Sequence, residues 1–129
     1  MTPHWITEEV VYALHLKLLR RFGGSDGLRD DSLLKSALNK PQQLLHYGNP
    51  PPSLFDLATS YTYGIVKNHP FVDGNKRTGF ITAYTFLYAN GKHIKASEEE
   101  VVAYTVALAA SDITEKDYAN WLSKSCQDV

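Results

Sequence analysis

The chain has 129 residues, 43% of them hydrophobic and 21% charged, with a formal net charge of −1. That length suits a single domain, spanning residues 1–129, whose core needs no disulfide or metal to hold it. The near-zero charge argues against a protein that coats duplex nucleic acid, which carries a basic excess, so no direct nucleic-acid binding is expected.

In chain order, the sequence predicts a series of helices with clear punctuation and no internal repeat. The opening MTPHWITEEVV lacks the basic-then-apolar pattern of a secretory signal. Thr7 is placed to cap a first helix, with Glu8 and Glu9 favoured at the positive end of its dipole. Val11, Leu14, Leu18 and Phe22 recur at helical spacing and form an apolar stripe, and Gly23-Gly24 ends the helix. Lys17, Arg20 and Arg21 read as a solvated face. Asp30 or Asp31 caps a second helix carrying Leu33, Leu34, Ala37 and Leu38, which Pro41 either ends or kinks. The segment from Gln42 to Pro52 closes on three prolines and is expected to be non-helical. It serves either as a stiff connector or as a wall beside a site.

Ser53 caps a third helix with Leu54, Leu57, Ala58, Tyr61 and Ile65 on one side. Pro70 disfavours helix at the residue before it, so His69 lies where this helix stops. A fourth helix, from about Asn75 to Asn90, is rich in Phe80, Ile81, Tyr84, Phe86 and Leu87 and is expected to be the central, most buried one. After Gly91, a short β piece is expected near Lys92–Lys95. Ser97 with Glu100 opens a fifth helix through about Ala110. Thr114 with Asp117 opens a short sixth, docked by Tyr118, Trp121 and Leu122. The lone cysteine, Cys126, falls in what reads as a frayed tail. No apolar run approaches the roughly 20 residues of a membrane span. The expected fold is all-α, and the expected location is cytoplasmic, without membrane contact.

The chemistry concentrates in His69-Pro70-Phe71-Val72-Asp73-Gly74-Asn75-Lys76-Arg77. A helix beginning near Asn75 leaves its first backbone N–H groups unpaired, and together with the helix dipole they form an anion site. Gly74 lets a ligand approach the backbone closely. Lys76 and Arg77 oppose the dipole at this end, so they need another reason, which a polyphosphate supplies. Asp73 is a hard oxygen ligand, and magnesium carried by nucleotide phosphates takes only one or two carboxylates. His69 suits a general base near neutral pH. Asn75 is expected to orient a phosphate oxygen, and Phe71 to anchor the loop in the core. Each residue has a plainer alternative: Asp73 as a cap, His69 as a helix-end residue, the cations as solvated. Together they form a phosphoryl- or nucleotidyl-transfer constellation, and no Walker A pattern is present.

This nine-residue run resembles the signature loop of the Fic/Doc superfamily, specifically its Doc (death-on-curing) branch. The resemblance extends to the GGxxGLRD-xx-LL-x-SAL stretch of Gly23–Leu38, to Tyr47-Gly48 and to Asn68-His69-Pro70-Phe71. It implies a compact helical bundle of about six helices with the active-site loop between the third and fourth. Fic enzymes carry Gly-Asn-Gly-Arg-x-x-Arg and transfer AMP to a hydroxyl. Here Lys76 replaces the second glycine and Phe80 the second arginine, as in Doc-like proteins, which transfer the terminal phosphate of ATP. The resemblance thus implies a protein Ser/Thr kinase toxin acting on elongation factor Tu and blocking translation. His69 would be its base, Asp73 its Mg2+ ligand, and Gly74, Asn75, Lys76 and Arg77 its phosphate site. The inhibitory Ser/Thr-x-x-x-Glu-Gly/Asn pattern of some Fic proteins is not matched by Ser111 and Glu115, which Lys116 follows. A small Phd-like antitoxin acting in trans is therefore the implied partner. The alternatives are an AMP transferase and a catalytically silent binding module with the same fold.

Overall fold

The computed structural model describes residues 2–129 as six helices and a two-stranded sheet. The elements are α1 (Glu8–Phe22), α2 (Asp31–Tyr47), α3 (Leu54–Asn68), α4 (Asn75–Ala89), β1 (Lys92–Ile94), α5 (Glu98–Ala109), α6 (Glu115–Ser125) and β2 (Cys126–Asp128). The fold is all-α apart from this small sheet. Side-chain caps start five of the helices: Thr7, Asp30, Ser53, Ser97 and Thr114 each accept a backbone N–H of the first turn. Asp30, not Asp31, is the cap of α2. Hydrogen bonds from the Ser32 hydroxyl and the Leu33 N–H hold its carboxyl below the usual carboxylate range.

The centre of the bundle is α3 rather than α4. It packs against α2, α4, α5 and α6, and Leu57, Ala58, Tyr61, Thr62 and Ile65 are wholly buried. In α4, Phe86 and Leu87 are buried, whereas Phe80, Ile81 and Tyr84 are only half-buried. The helix reads as uniformly apolar because one side enters the core and the other lines a cleft. A similar split holds in α1: Val11 enters the core, Leu14 and Leu18 are half-buried and Phe22 is exposed.

Contrary to the expectation from the prolines, α2 runs through Pro41 to Tyr47. Pro41 lacks the N–H that would bond the Ala37 carbonyl, and Gly64 of α3 packs at that turn. A Cβ built on Gly64 would lie 3.0 Å from the Ala37 Cβ and 3.4 Å from its carbonyl oxygen. The lost hydrogen bond thus falls where Gly64 lets the two helices approach closely, and packing across the break supports the helix there.

The tail is also better tied than its sequence suggests. β2 pairs antiparallel with β1 in the register Lys92↔Asp128, His93↔Gln127 and Ile94↔Cys126, and the Val129 N–H donates to the Gly91 carbonyl. Burial raises the Cys126 thiol pKa, with Lys92 opposing the shift, which suits a packed rather than a reactive thiol. Among the described residues, no helix is long and apolar enough to cross a membrane.

The α2–α3 crossing provides a stability test. Gly64→Val places branched carbons against the Ala37 backbone, which cannot rotate away, and is expected to cost about 1–3 kcal/mol by overpacking. Urea unfolding followed by circular dichroism measures this, and an unchanged midpoint would contradict the tight crossing.

Candidate active site

α3 ends at His69, whose backbone is left-handed (φ 53, ψ 53) with its N–H on the Ile65 carbonyl at 3.0 Å. A non-glycine residue in this region persists only where its surroundings hold it. Arg29 does so with its guanidinium, donating from Nε to the His69 carbonyl (2.7 Å) and from Nη2 to the Asn68 carbonyl (2.8 Å). A cation on the last carbonyls of a helix is also favoured by the dipole. The backbone N–H groups of Arg29 and Asp30 both donate to the Pro70 carbonyl, at 2.6 and 3.0 Å. A bridge between Leu28 and Phe71 and a bond from the Val72 N–H to the Gly27 carbonyl (3.0 Å) continue the contact. The Gly23–Asp30 segment is therefore a brace laid along the His69–Asp73 turn.

Phe71 is 1% exposed and anchors the loop, as its sequence position suggests. Its ring stacks on His15 of α1, with centroids 3.9 Å apart and planes 12° from parallel, and meets Tyr12 edge-on. The Tyr12 hydroxyl donates to Asp31 at 2.8 Å. That bond and the carboxylate's charge push the phenol up to about 12, so it remains a protonated donor.

Asn75 departs from its expected role. Its side chain is buried, accepts the Phe71 N–H at 3.0 Å and donates to the Phe71 carbonyl at 2.9 Å. The amide therefore holds the loop, and its contribution to an anion site is its backbone N–H at the start of α4. Asp73 is not the cap of α4: the N-cap is Gly74 (φ 78, ψ 18), with no side-chain hydrogen bond. The Asp73 carboxylate instead accepts the Gly74 N–H (Oδ1, 2.8 Å) and the Ser25 N–H (Oδ2, 3.2 Å). A Cβ on Gly24 would fall 2.7 Å from that second oxygen, which accounts for the glycine there.

α4 is thus the one helix that begins without a side-chain cap, and it begins at the floor of a cleft of about 570 Å³. His69, Asp73, Gly74, Asn75, Lys76 and Arg77 line one part of it. The rest is mostly apolar, with Phe22 of α1, Phe80 and Ile81 of α4, and Val101, Val102 and Val106 of α5, joined by Glu98 and Thr105 of α5. Lys76 and Arg77 are exposed and make no ion pair among the described residues. The Arg77 guanidinium lies 4.4 Å from the Phe22 ring centre, a cation–π contact that steadies it without neutralising it. One end of the cleft is cationic with free helix N–H groups, and the other is apolar and aromatic. That combination accommodates a phosphate tail joined to a flat apolar group.

Asp73 is the loop's carboxylate in the cleft, and each of its oxygens keeps a lone pair beyond the bond it accepts. No cluster of three or more His, Cys, Asp or Glu side chains suited to a metal exists among the described residues. The donor set fits magnesium arriving on nucleotide phosphates rather than a resident ion.

Two functional-site residues, His15 and Arg29, escaped the reading of individual residues. His15 was masked by the apolar stripe of α1 in which it sits. Arg29 lies 40 residues from its partner His69, and only the joint resemblance of Gly23–Leu38 and the loop ties the two together.

The Fic/DOC family model matches residues 5–87, from just ahead of α1 into the last turn of α4. Toxin Doc of Mycolicibacterium smegmatis is 40% identical over 96 residues, covering 74% of this chain and 71% of that protein. Protein kinase doc of Escherichia phage P1 is 29% identical over 119 residues, covering 92% of this chain and 93% of that protein. With the brace, the loop and the uncapped start of α4 inside the matched span, the chain belongs to the Fic/DOC family, in its Doc branch.

Proposed function

We propose that this protein is a toxin kinase that moves the terminal phosphate of ATP onto a Ser or Thr hydroxyl of a protein target. The observation that carries this reading is the start of α4. It has no side-chain cap, two cations without ion-pair partners, and an aromatic ring where a second arginine would grip a nucleotide's far phosphates. Phe80 packs with its ring centre 6.3 Å from that of Tyr84 and 6.4 Å from that of Trp121. At that position the cleft offers an apolar wall, so phosphates are gripped at the loop and helix start alone. The phage relative's name, a protein kinase, supports the same direction of transfer.

In this mechanism His69 takes the proton of the incoming hydroxyl. The hydroxyl oxygen bonds to the γ-phosphorus, the bond from phosphorus to the β–γ bridging oxygen breaks, and ADP leaves with that electron pair. The α4 N–H groups with Lys76 and Arg77 stabilise charge on the transferring group. Asp73 would hold a magnesium ion brought by the nucleotide, which when bound neutralises phosphate charge. The resemblance extends this reading to elongation factor Tu as target, with arrest of translation, and to a small Phd-like antitoxin as inhibitor in trans.

Mass spectrometry of a target incubated with ATP, magnesium and the protein tests the direction of transfer. A phosphate-sized gain on a Ser or Thr is expected, and a nucleotide-sized gain would establish AMP transfer instead. His69→Ala is expected to lower turnover by roughly 10²- to 10⁴-fold with ATP affinity nearly retained. If that variant inhibits growth as strongly as the parent when overproduced, the protein acts by binding and not by catalysis. Lys76→Ala removes a charge-assisted phosphate contact and is expected to weaken ATP binding roughly tenfold by calorimetry.

A further inference from the structure

Resting on the phosphoryl-transfer function above, we propose that His15 of α1 is a positioning residue for the anion site, setting the orientation of the Asp73–Gly74 peptide. His15 is 4% exposed, and its Nε2 lies 2.8 Å from the Asp73 carbonyl oxygen. A carbonyl only accepts, so Nε2 carries the hydrogen and donates it. The parallel Phe71 ring, 3.9 Å away between centroids, fixes the plane from which that hydrogen points.

The peptide it holds is the hinge of the loop. A trans peptide is planar, with N–H and C=O directed oppositely. Drawing the Asp73 carbonyl inward onto His15 therefore turns the Gly74 N–H outward, where the Asp73 carboxylate accepts it at the edge of the cleft. The alternative orientation is locally accessible because Gly74 is left-handed (φ 78) and glycine carries no Cβ to oppose rotation of the adjoining peptide. Rotated by half a turn, that peptide would aim a carbonyl oxygen where the phosphates must lie, directly ahead of the α4 N–H groups. A single buried donor on α1 thus selects between a site that attracts anions and one that repels them. His15 is not a catalytic residue in this scheme, because its ring is stacked behind Phe71 and is absent from the cleft lining.

Two variants test the proposal. His15→Gln keeps a donor near the Nε2 position, and His15→Leu keeps bulk and removes the donor. The substrate-free readout is the Gly74 amide in the 15N NMR spectrum and its hydrogen exchange. In His15→Leu this amide is expected to shift and to exchange roughly tenfold or more faster, with the Leu87 amide in the far half of α4 unchanged. In His15→Gln it is expected to return towards the parent. ATP affinity and turnover are expected to fall about tenfold or more in His15→Leu and to recover in His15→Gln. A parent-like Gly74 amide in folded His15→Leu would overturn the proposal. So would a His15→Gln protein that folds, as judged by thermal melting, yet matches His15→Leu in both readouts. If the parent transfers no phosphate to any target, the kinase function fails, while the amide measurements still decide the role of His15.

Discussion

The functional half of this molecule hangs on the burial of one ring. Phe71 sits inside the core with His15 flat against it, and its own backbone N–H and C=O are both taken by the Asn75 side chain. With the ring immobile, the residues on either side of it lose their freedom in turn. Upstream, the chain must leave α3 through a left-handed His69; downstream, it must enter α4 through a left-handed Gly74. Two tight reversals within six residues bring a histidine, a carboxylate and a helix N-terminus to one rim. Their conformational cost is met by hydrophobic burial and by the Arg29 fork rather than by anything in the cleft.

Helix capping makes the same division between structure and chemistry. A capping residue at α4 would satisfy the first N–H groups of the helix and would place an oxygen at the mouth of the cleft, which would disfavour any anion there. Glycine at that position satisfies nothing, and the two cations after it worsen the local electrostatics of the empty helix. The other helices close both of those gaps, with oxygen caps and acidic first turns. Local disfavour at one helix start within an otherwise well-capped bundle is the pattern expected where stability is exchanged for binding.

Most of the helices were legible because their signals are local. Caps, capping boxes and terminating glycines act within one turn, and Thr7, Ser53, Thr114 and the Gly23 stop function as their spacing implies. Ser97 caps α5 but forms no reciprocal box, because the Glu100 carboxylate accepts the Trp121 indole N–H instead. What was not legible depended on neighbours. The passage of α2 through Pro41 requires Gly64 of another helix, and the strand at Cys126–Asp128 requires β1 as a template. The members of the signature loop were readable as a chemical set, but their division of labour was not. Nothing in the string of letters distinguishes an Asn that faces ligand from one that holds the loop's own backbone, and the burial of Asn75 is what separates them. His15 was hidden for the converse reason, since a polar residue on an apolar stripe reveals its purpose only once its acceptor, 58 residues away, has arrived.

The brace between the Gly23–Asp30 segment and the His69–Asp73 turn has a consequence for when the site comes into being. Its bonds join residues 40 and 48 positions apart, Arg29 to His69 and Ser25 to Asp73, and they close only after α2 and α3 have folded back on each other. Closing such loops carries an entropic cost that the local contacts of isolated helices do not defray. A chain still emerging from the ribosome, or one with α1 detached, would have its helices but not the braced loop between them. Assembly of the site is therefore a property of the tertiary structure and of no single helix, and it waits until the chain through the start of α4 has been made and has folded back.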